Sequence, residues 1–187
     1  MTSRLRRRAN LLACLLIAAA PTWADRSDRE QPVNIEANHV TVDDRSKTHV
    51  FEGDVILTQG SLQIRGDRLV VTQGADGFQT GVATASGGRL ATFRQRRDGT
   101  NEYVEGEAER IEYDSRNERA RLFVRAYVKS GGDEVRGPFI EYNTLTENYV
   151  VSGSSVGDPA TADGRVRAVL QPNGGDAPAP KEAPFPA

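Results

Sequence analysis

The chain is poor in the residues that staple, cut or coordinate. It has one cysteine (Cys14), one tryptophan (Trp23) and one methionine (Met1), all within the first 24 residues. Residues 25–187 therefore carry no thiol, and with it no disulfide, no thiolate-bound metal and no cysteine nucleophile. The two histidines, His39 and His49, lack the close spacing of a zinc pair and read as surface or cross-strand polar residues. There is no G-x-S-x-G elbow, no P-loop, and no G-x-G-x-x-G between a strand and a helix. Two acidic pairs, Asp43 with Asp44 and Glu105 with Glu107, fall in a turn and along an alternating face, where solvation is expected rather than a glycosidase dyad. No catalytic residue, metal site or cofactor is assigned, and the chain does not read as an enzyme. No segment sustains a 3.6-residue apolar period, so helices are not expected either.

The first residues have the layout of an export signal. Arg4, Arg6, Arg7 and Arg8 precede an apolar run over residues 11–20, and Thr22-Trp23-Ala24 places small residues around a cleavage point before Asp25. Residues 1–24 are assigned to a signal peptide cleaved after Ala24. The apolar run is short for a membrane anchor, and Cys14 sits inside it rather than after it, unlike a lipidated cysteine. Residues 25–31 are assigned to a flexible lead-in and residues 32–171 to one folded domain. Residues 172–187, with five of the nine prolines, form a disordered Pro-rich tail. Without residues 1–24, 20 basic residues face 26 acidic ones, a net charge of −6. That balance argues against a nucleic-acid partner.

What the domain does have is period-two alternation broken by turn residues. Across residues 50–73, Val55 and Leu57, then Leu62 and Ile64, then Leu69 and Val71 alternate around Thr58-Gln59-Gly60-Ser61, which predicts a β-hairpin. A first strand over residues 33–42 changes parity near Asn38-His39, predicting a bulge there. A short strand of small residues is expected at 82–85. Residues 104–121 have helical composition, but Glu105, Glu107 and Glu109 alternate with Gly106, Ala108 and Arg110, so strands are expected. Pieces recur. Asp43-Asp44-Arg45-Ser46 is echoed by Asp114-Ser115-Arg116-Asn117, Arg65-Gly66-Asp67-Arg68-Leu69 by Arg136-Gly137-Pro138-Phe139-Ile140, and residues 42–53 by residues 142–153. The expected fold is all-β, with ten or more short antiparallel strands burying one face each.

Strand parity puts Val33, Ile35, Phe51, Leu57, Phe93, Ile111 and Tyr113 on the inner face, and it adds Val124 and Val150 to the same set. These side chains either fill a core or leave an apolar slot between them. Parity alone does not decide which.

Several segments resemble the OstA-like family of periplasmic lipopolysaccharide transport proteins. They are Q-P-V-N-I-E-A at 31–37, F-E-G-D-V-I-L-T-Q-G at 51–60, I-R-G-D-R-L-V-V at 64–71, A-T-F at 91–93, V-E-G-E-A at 104–108 and R-V-R-A-V-L-Q-P at 165–172. The resemblance implies a β-jellyroll, a rolled V-shaped sheet with open edges. It implies a non-enzymatic periplasmic carrier of lipopolysaccharide whose apolar groove shields the acyl chains within a protein bridge from inner to outer membrane. The seven parity-selected residues would line that groove. It further implies head-to-tail self-association, and partnership with like domains of an inner-membrane-anchored C component and an outer-membrane assembly barrel. Edge strands over residues 33–42 and 149–170 would make these contacts. Two other readings compete: a periplasmic scaffold with a filled core that binds proteins through its edges, and a polysaccharide-binding module using the outward Tyr103 and Tyr127.

Overall fold

The computed structural model describes residues 28–75, 77–97, 99–153 and 165–171. The assigned signal peptide and Pro-rich tail lie outside these described residues. After one 3₁₀ turn, Asp28–Glu30, come twelve strands: β1 Asn34–Glu36, β2 His39–Asp43, β3 Thr48–Gln59, β4 Leu62–Gly74, β5 Gly77–Thr84, β6 Ala91–Arg96, β7 Tyr103–Ala108, β8 Arg110–Asp114, β9 Arg119–Ser130, β10 Asp133–Asn143, β11 Tyr149–Ser152 and β12 Arg167–Val169. All belong to one antiparallel sheet. The all-β expectation holds, including the strands β7 and β8 where composition favoured a helix. The expected 82–85 strand is the end of the longer β5.

Not every strand is short. β3, β4, β9 and β10 span 11 to 13 residues, and each is bent in the middle. In the β3–β4 hairpin, Glu52 faces Arg68 and Val55 faces Gly66, so β3 carries one extra residue at the bend. In β9–β10, Phe123 faces Phe139 and Ala126 faces Gly137, the same irregularity. An extra residue in one strand of a pair bends it and increases its twist. The bends divide the sheet into two wings. The first wing holds β1, residues 55–59 of β3, 62–66 of β4, β6, β7, 126–130 of β9, 133–137 of β10, and β12. The second holds β2, residues 48–52, 68–74, β5, β8, 119–123, 139–143 and β11. Both wings contribute to one core, in which Leu57, Ile64, Phe93, Ile111, Leu122 and Ile140 are almost fully buried.

The two bent hairpins are copies of each other, 71 residues apart. Asp43 and Asp114 open equivalent turns: each carboxylate accepts from the backbone N–H groups two and three residues on, at 2.9 and 3.3 Å from Arg45 and Ser46, and at 3.0 and 3.1 Å from Arg116 and Asn117. The next residues, Lys47 and Glu118, both have left-handed φ, +54° and +51°. The bends repeat too, with positive φ at Gly53 and Asp54 and at Val124 and Arg125. So do the two-residue hairpin loops, in which Gly60 and Gly131 have φ of +58° and +59°. Gly66 and its equivalent Gly137 sit at the corners of β4 and β10. A Cβ on Gly66 would lie 2.7 Å from the Thr84 carbonyl oxygen, which leaves no room for a side chain.

Some expectations are corrected. Residues 42–53 and 142–153 are both hairpins, but they are not equivalent; by the 71-residue offset the β10–β11 hairpin matches β4–β5. Val124 leaves the apolar face because it sits at the β9 bend with φ +60°, and its neighbour Phe123 is buried instead. Val150 faces outward, 63% exposed, because Val151 is the residue of β11 that lies opposite Ile140. Residues 28–31 are tied to the sheet rather than loose. The Asp28 carboxylate accepts from Ser61 N and Oγ at 2.8 and 2.5 Å, and the Gln31 carbonyl accepts from Gln59 Nε2 at 3.1 Å. The expected break near Asn38-His39 is present, between β1 and β2 and opposite the β3 bend.

The Asp114 turn makes a testable contribution. Burial raises its pKa, but hydrogen bonds from Asn117 and Arg116 and the nearby Arg121 charge outweigh burial and hold the carboxyl below its usual value. A depressed folded pKa stabilises the fold above the unfolded value of about 3.9, and that stability is lost as pH falls through the lower folded value. Asp114→Ala is expected to lower unfolding free energy by about 1 kcal/mol at neutral pH. Urea titrations at falling pH should show the gap to the unsubstituted protein closing below about pH 4.

Candidate functional site

The wings are joined along the line of bends, and their far tips carry the hairpin turns. Between the tips a slot of about 730 Å³ opens beside the N-terminal edge. Its apolar floor is Val33 and Ile35 from the first wing and Phe51, Val71 and Phe78 from the second. Its other lining residues are polar: Gln31, Gln73 and Gln79 at the rim with His49, Ser115 and Arg116, and the buried Gln59 deeper in. Local bonds hold these walls. Asp28 and the Gln59–Gln31 contact anchor the chain that delivers Val33 and Ile35. Ser115 Oγ donates to the Phe78 and Gln79 carbonyls at 2.9 and 3.2 Å, and Ser115 N donates to Gln79 O at 3.0 Å.

Of the seven residues that parity assigned to a lining, three line this slot: Val33, Ile35 and Phe51. The other four, Leu57, Phe93, Ile111 and Tyr113, lie behind it and are at most 2% exposed. An aromatic row closes the back of the slot. Phe78 stacks on Tyr113 at 6.1 Å, Tyr113 meets Phe93 at 6.4 Å, and Phe93 meets Tyr142 edge-on at 6.3 Å. Tyr113 donates to Glu118 Oε2 at 3.3 Å, and Thr144 Oγ1 donates to the same oxygen at 2.8 Å. Burial first, then the Glu118 charge, pushes the Tyr113 phenol well above its usual pKa, so it stays a neutral donor. The interior is thus a slot in one part and a filled core in the other.

Parity could have found His49 and Gln59, which lie two residues from Phe51 and Leu57 on the same strand face. Phe78 sits among Gly74, Gly77 and Gly81, where glycines interrupt the alternation that marks the other strands. The outward rings proposed for sugar stacking are already covered: the Arg94 guanidinium lies 3.8 Å over Tyr103, and Arg136 lies 4.1 Å over Tyr127. An apolar floor under a rim of amides and one guanidinium suits an amphiphile, with its chains inside and its polar part at the rim.

A family model described as LptA/(LptD N-terminal domain) LPS transport protein matches residues 34–148. The chain belongs to this family. It is 32% identical over 142 residues to the lipopolysaccharide export system protein LptA of Escherichia coli K12, covering 75% of each chain. It is 31% identical over 147 residues to LptH of Pseudomonas aeruginosa, covering 78% of this chain and 82% of that one. The crystal structure of P. aeruginosa LptH, described as the LptA homologous periplasmic component of the conserved lipopolysaccharide transport device, superposes with a TM-score of 0.69 at 28% identity. That match covers 78% of this chain and 99% of LptH. The OstA-like resemblance and the jellyroll expectation are both borne out.

Floor and core residues should respond differently to truncation. Phe93→Ala is expected to cost about 3–5 kcal/mol of unfolding free energy through the cavity it leaves. Phe51→Ala, at the partly buried floor, should cost about 1–2 kcal/mol. Denaturant unfolding of the two variants checks the difference.

Proposed function

We propose that this protein is a non-enzymatic periplasmic carrier that holds lipopolysaccharide by its acyl chains and passes it along a protein bridge from inner to outer membrane. The slot carries this reading. Each acyl CH₂ withdrawn from water contributes about 0.8 kcal/mol, so a multi-chain lipid needs an apolar surface throughout an aqueous crossing. Val33, Ile35, Phe51, Val71 and Phe78 provide one, and the rim leaves the sugars in contact with water and amides. A periplasmic scaffold with a filled core would have no use for the opening.

The same reading gives the edges a role. β1 and β2 border one end of the wings, and β11 and β12 border the other. Their exposed apolar side chains include Val40 and Val42, 49% and 52% exposed. Unpaired strand edges accept further strands, here from a second copy or from the like domains of the C component and the assembly barrel. The internal repeat supplies a register. Within the domain, Ala83 faces Ile111 and Gly81 faces Tyr113. By pairing and offset, Val151 is the equivalent of Ala83, Tyr149 of Gly81, Val40 of Ile111 and Val42 of Tyr113. Head-to-tail contact then sets Val151 against Val40 and Tyr149 against Val42 of the next copy. On the other wing, Arg167 comes to face Glu36, as Thr92 faces Glu107 inside the domain.

Two experiments test these points. A photoreactive residue replacing Phe51 should form a lipopolysaccharide adduct in cells, while one replacing the neighbouring outward Glu52 should not; adducts at neither would leave the scaffold reading in place. Residues 25–187 lack cysteine, so Val40→Cys and Val151→Cys on separate copies should yield a disulfide-linked dimer, whereas Val40→Cys with Tyr149→Cys should not. Equal yields from both pairs would refute the register.

A further inference from the structure

We infer that Arg97 and Glu147 form a gate across the lipid path, a clasp between the wing tips that must release before lipid passes the aromatic row. This rests on the carrier reading above. Arg97 follows β6 at the tip of the first wing, and Glu147 lies in the β10–β11 turn at the tip of the second. Arg97 donates to Glu147 Oε2 through Nη2 at 2.6 Å and Nε at 3.0 Å, with both side chains about 30% exposed. Neither residue lines the slot itself; the link from the clasp to the aromatic row runs along β6. Phe93, four residues before Arg97, is wedged between Tyr113 and Tyr142 of the opposite wing.

The physical argument is one of replaceable and irreplaceable contacts. A slot of about 730 Å³ is the size of a small-ligand site and too small for a lipid with several acyl chains, so the wings must part for such a lipid to move on. The contacts of Phe93 with Tyr113 and Tyr142 are apolar and weakly directional. Acyl chains entering between the rings would replace them with contacts of the same kind. The Arg97–Glu147 pair is charged and directional, and no acyl chain can replace it. It therefore adds a barrier to parting of the tips that the lipid cannot offset. Release is not prohibitive, because Arg97 keeps a second partner on its own wing, Glu102, at 2.9 Å, and Glu147 moves into water. That arrangement makes a reversible clasp rather than a permanent staple.

The test uses the chain from residue 25 with purified lipopolysaccharide, comparing the unsubstituted protein with Arg97→Gln, Glu147→Gln and the exchanged pair R97E/E147R. One readout is the ratio of photo-adducts from probes replacing Phe93, within the aromatic row, and Phe51, in the slot. The other needs no lipid: the distance between spin labels on Lys129→Cys and Leu145→Cys, one at each tip. Both single substitutions should raise the Phe93-to-Phe51 ratio, by up to about fivefold for loss of one partly exposed pair. Both should also lengthen or broaden the tip distance, and the exchanged pair should restore both signals. An unchanged tip distance overturns the clasp. A changed distance with a Phe51 adduct but an unchanged ratio shows that lipid does not cross this point, and overturns the gate. Adducts at neither probe, with the distance still changed, overturn the carrier reading instead.

Discussion

The bend in the middle of four long strands is the constraint on which the rest of this structure depends. A flat antiparallel sheet of this length would leave one face without a partner. The extra residue at Gly53-Asp54 and again at Val124-Arg125 folds each hairpin over, so that its two halves cover each other. The bends are held from outside by polar contacts. Asp67 accepts from Ser86 N and Oγ at 2.6 and 2.8 Å, and Arg125 pairs with Glu109 at 2.8 Å. The wings bury a common core with no helix needed to cover it. Because the sheet folds rather than closes, two edges remain, and a cleft persists where the tips do not meet.

Much of this was legible as pattern. Alternation identifies β3 and β4, the Asp43 and Asp114 turns are visible as echoes, and Glu105-Gly106-Glu107 marks a strand against its composition. The bends were not legible in the same way. Parity is a local rule, and a residue with left-handed φ resets it without warning: Val124 was assigned inward and is not, because only tertiary context makes a valine adopt φ +60°. The lining was half legible for a related reason. Parity gives the inner face of a strand but not what stands opposite it. Leu57, Phe93, Ile111 and Tyr113 do point inward, yet they meet side chains from the facing wing, whereas Val33, Ile35 and Phe51 meet a gap. That difference lies between strands far apart in sequence.

The 71-residue repeat explains why the same strand contact can serve inside and outside the molecule. Each repeat is one bent hairpin flanked by shorter strands, and alone it would expose an edge on each side. Within the chain, β5 and β6 of the first repeat receive β8 and β7 of the second. The second repeat then ends in β11 and β12, the counterparts of β5 and β6, and the first begins with β1 and β2, the counterparts of β7 and β8. A chain made this way offers at its ends the two halves of a contact it already makes in its middle. The exposed valines of β2, which would be a liability on an isolated edge, are then the counterparts of Ile111 and Tyr113, both buried in the core.

The repeat also shows why the slot is on one side only. If both halves had kept the same side chains, both would be open or both filled. They have diverged at the positions that matter. Val71 on the slot floor corresponds to Tyr142 in the second repeat, and the larger ring reaches Phe93 across the interior. Partly buried Phe51 corresponds to Leu122, which is fully buried. Ile35, on the outermost strand with open space beyond it, corresponds to Gly106, where an added Cβ would meet Leu122 at 2.8 Å. Small and large residues have been exchanged so that the second half packs shut while the first stays open. A uniform tube would give a lipid no reason to pause anywhere along it. On the proposed carrier reading, an open half followed by a closed one would make passage a step, taken when chains enter between the aromatic rings and the tips part.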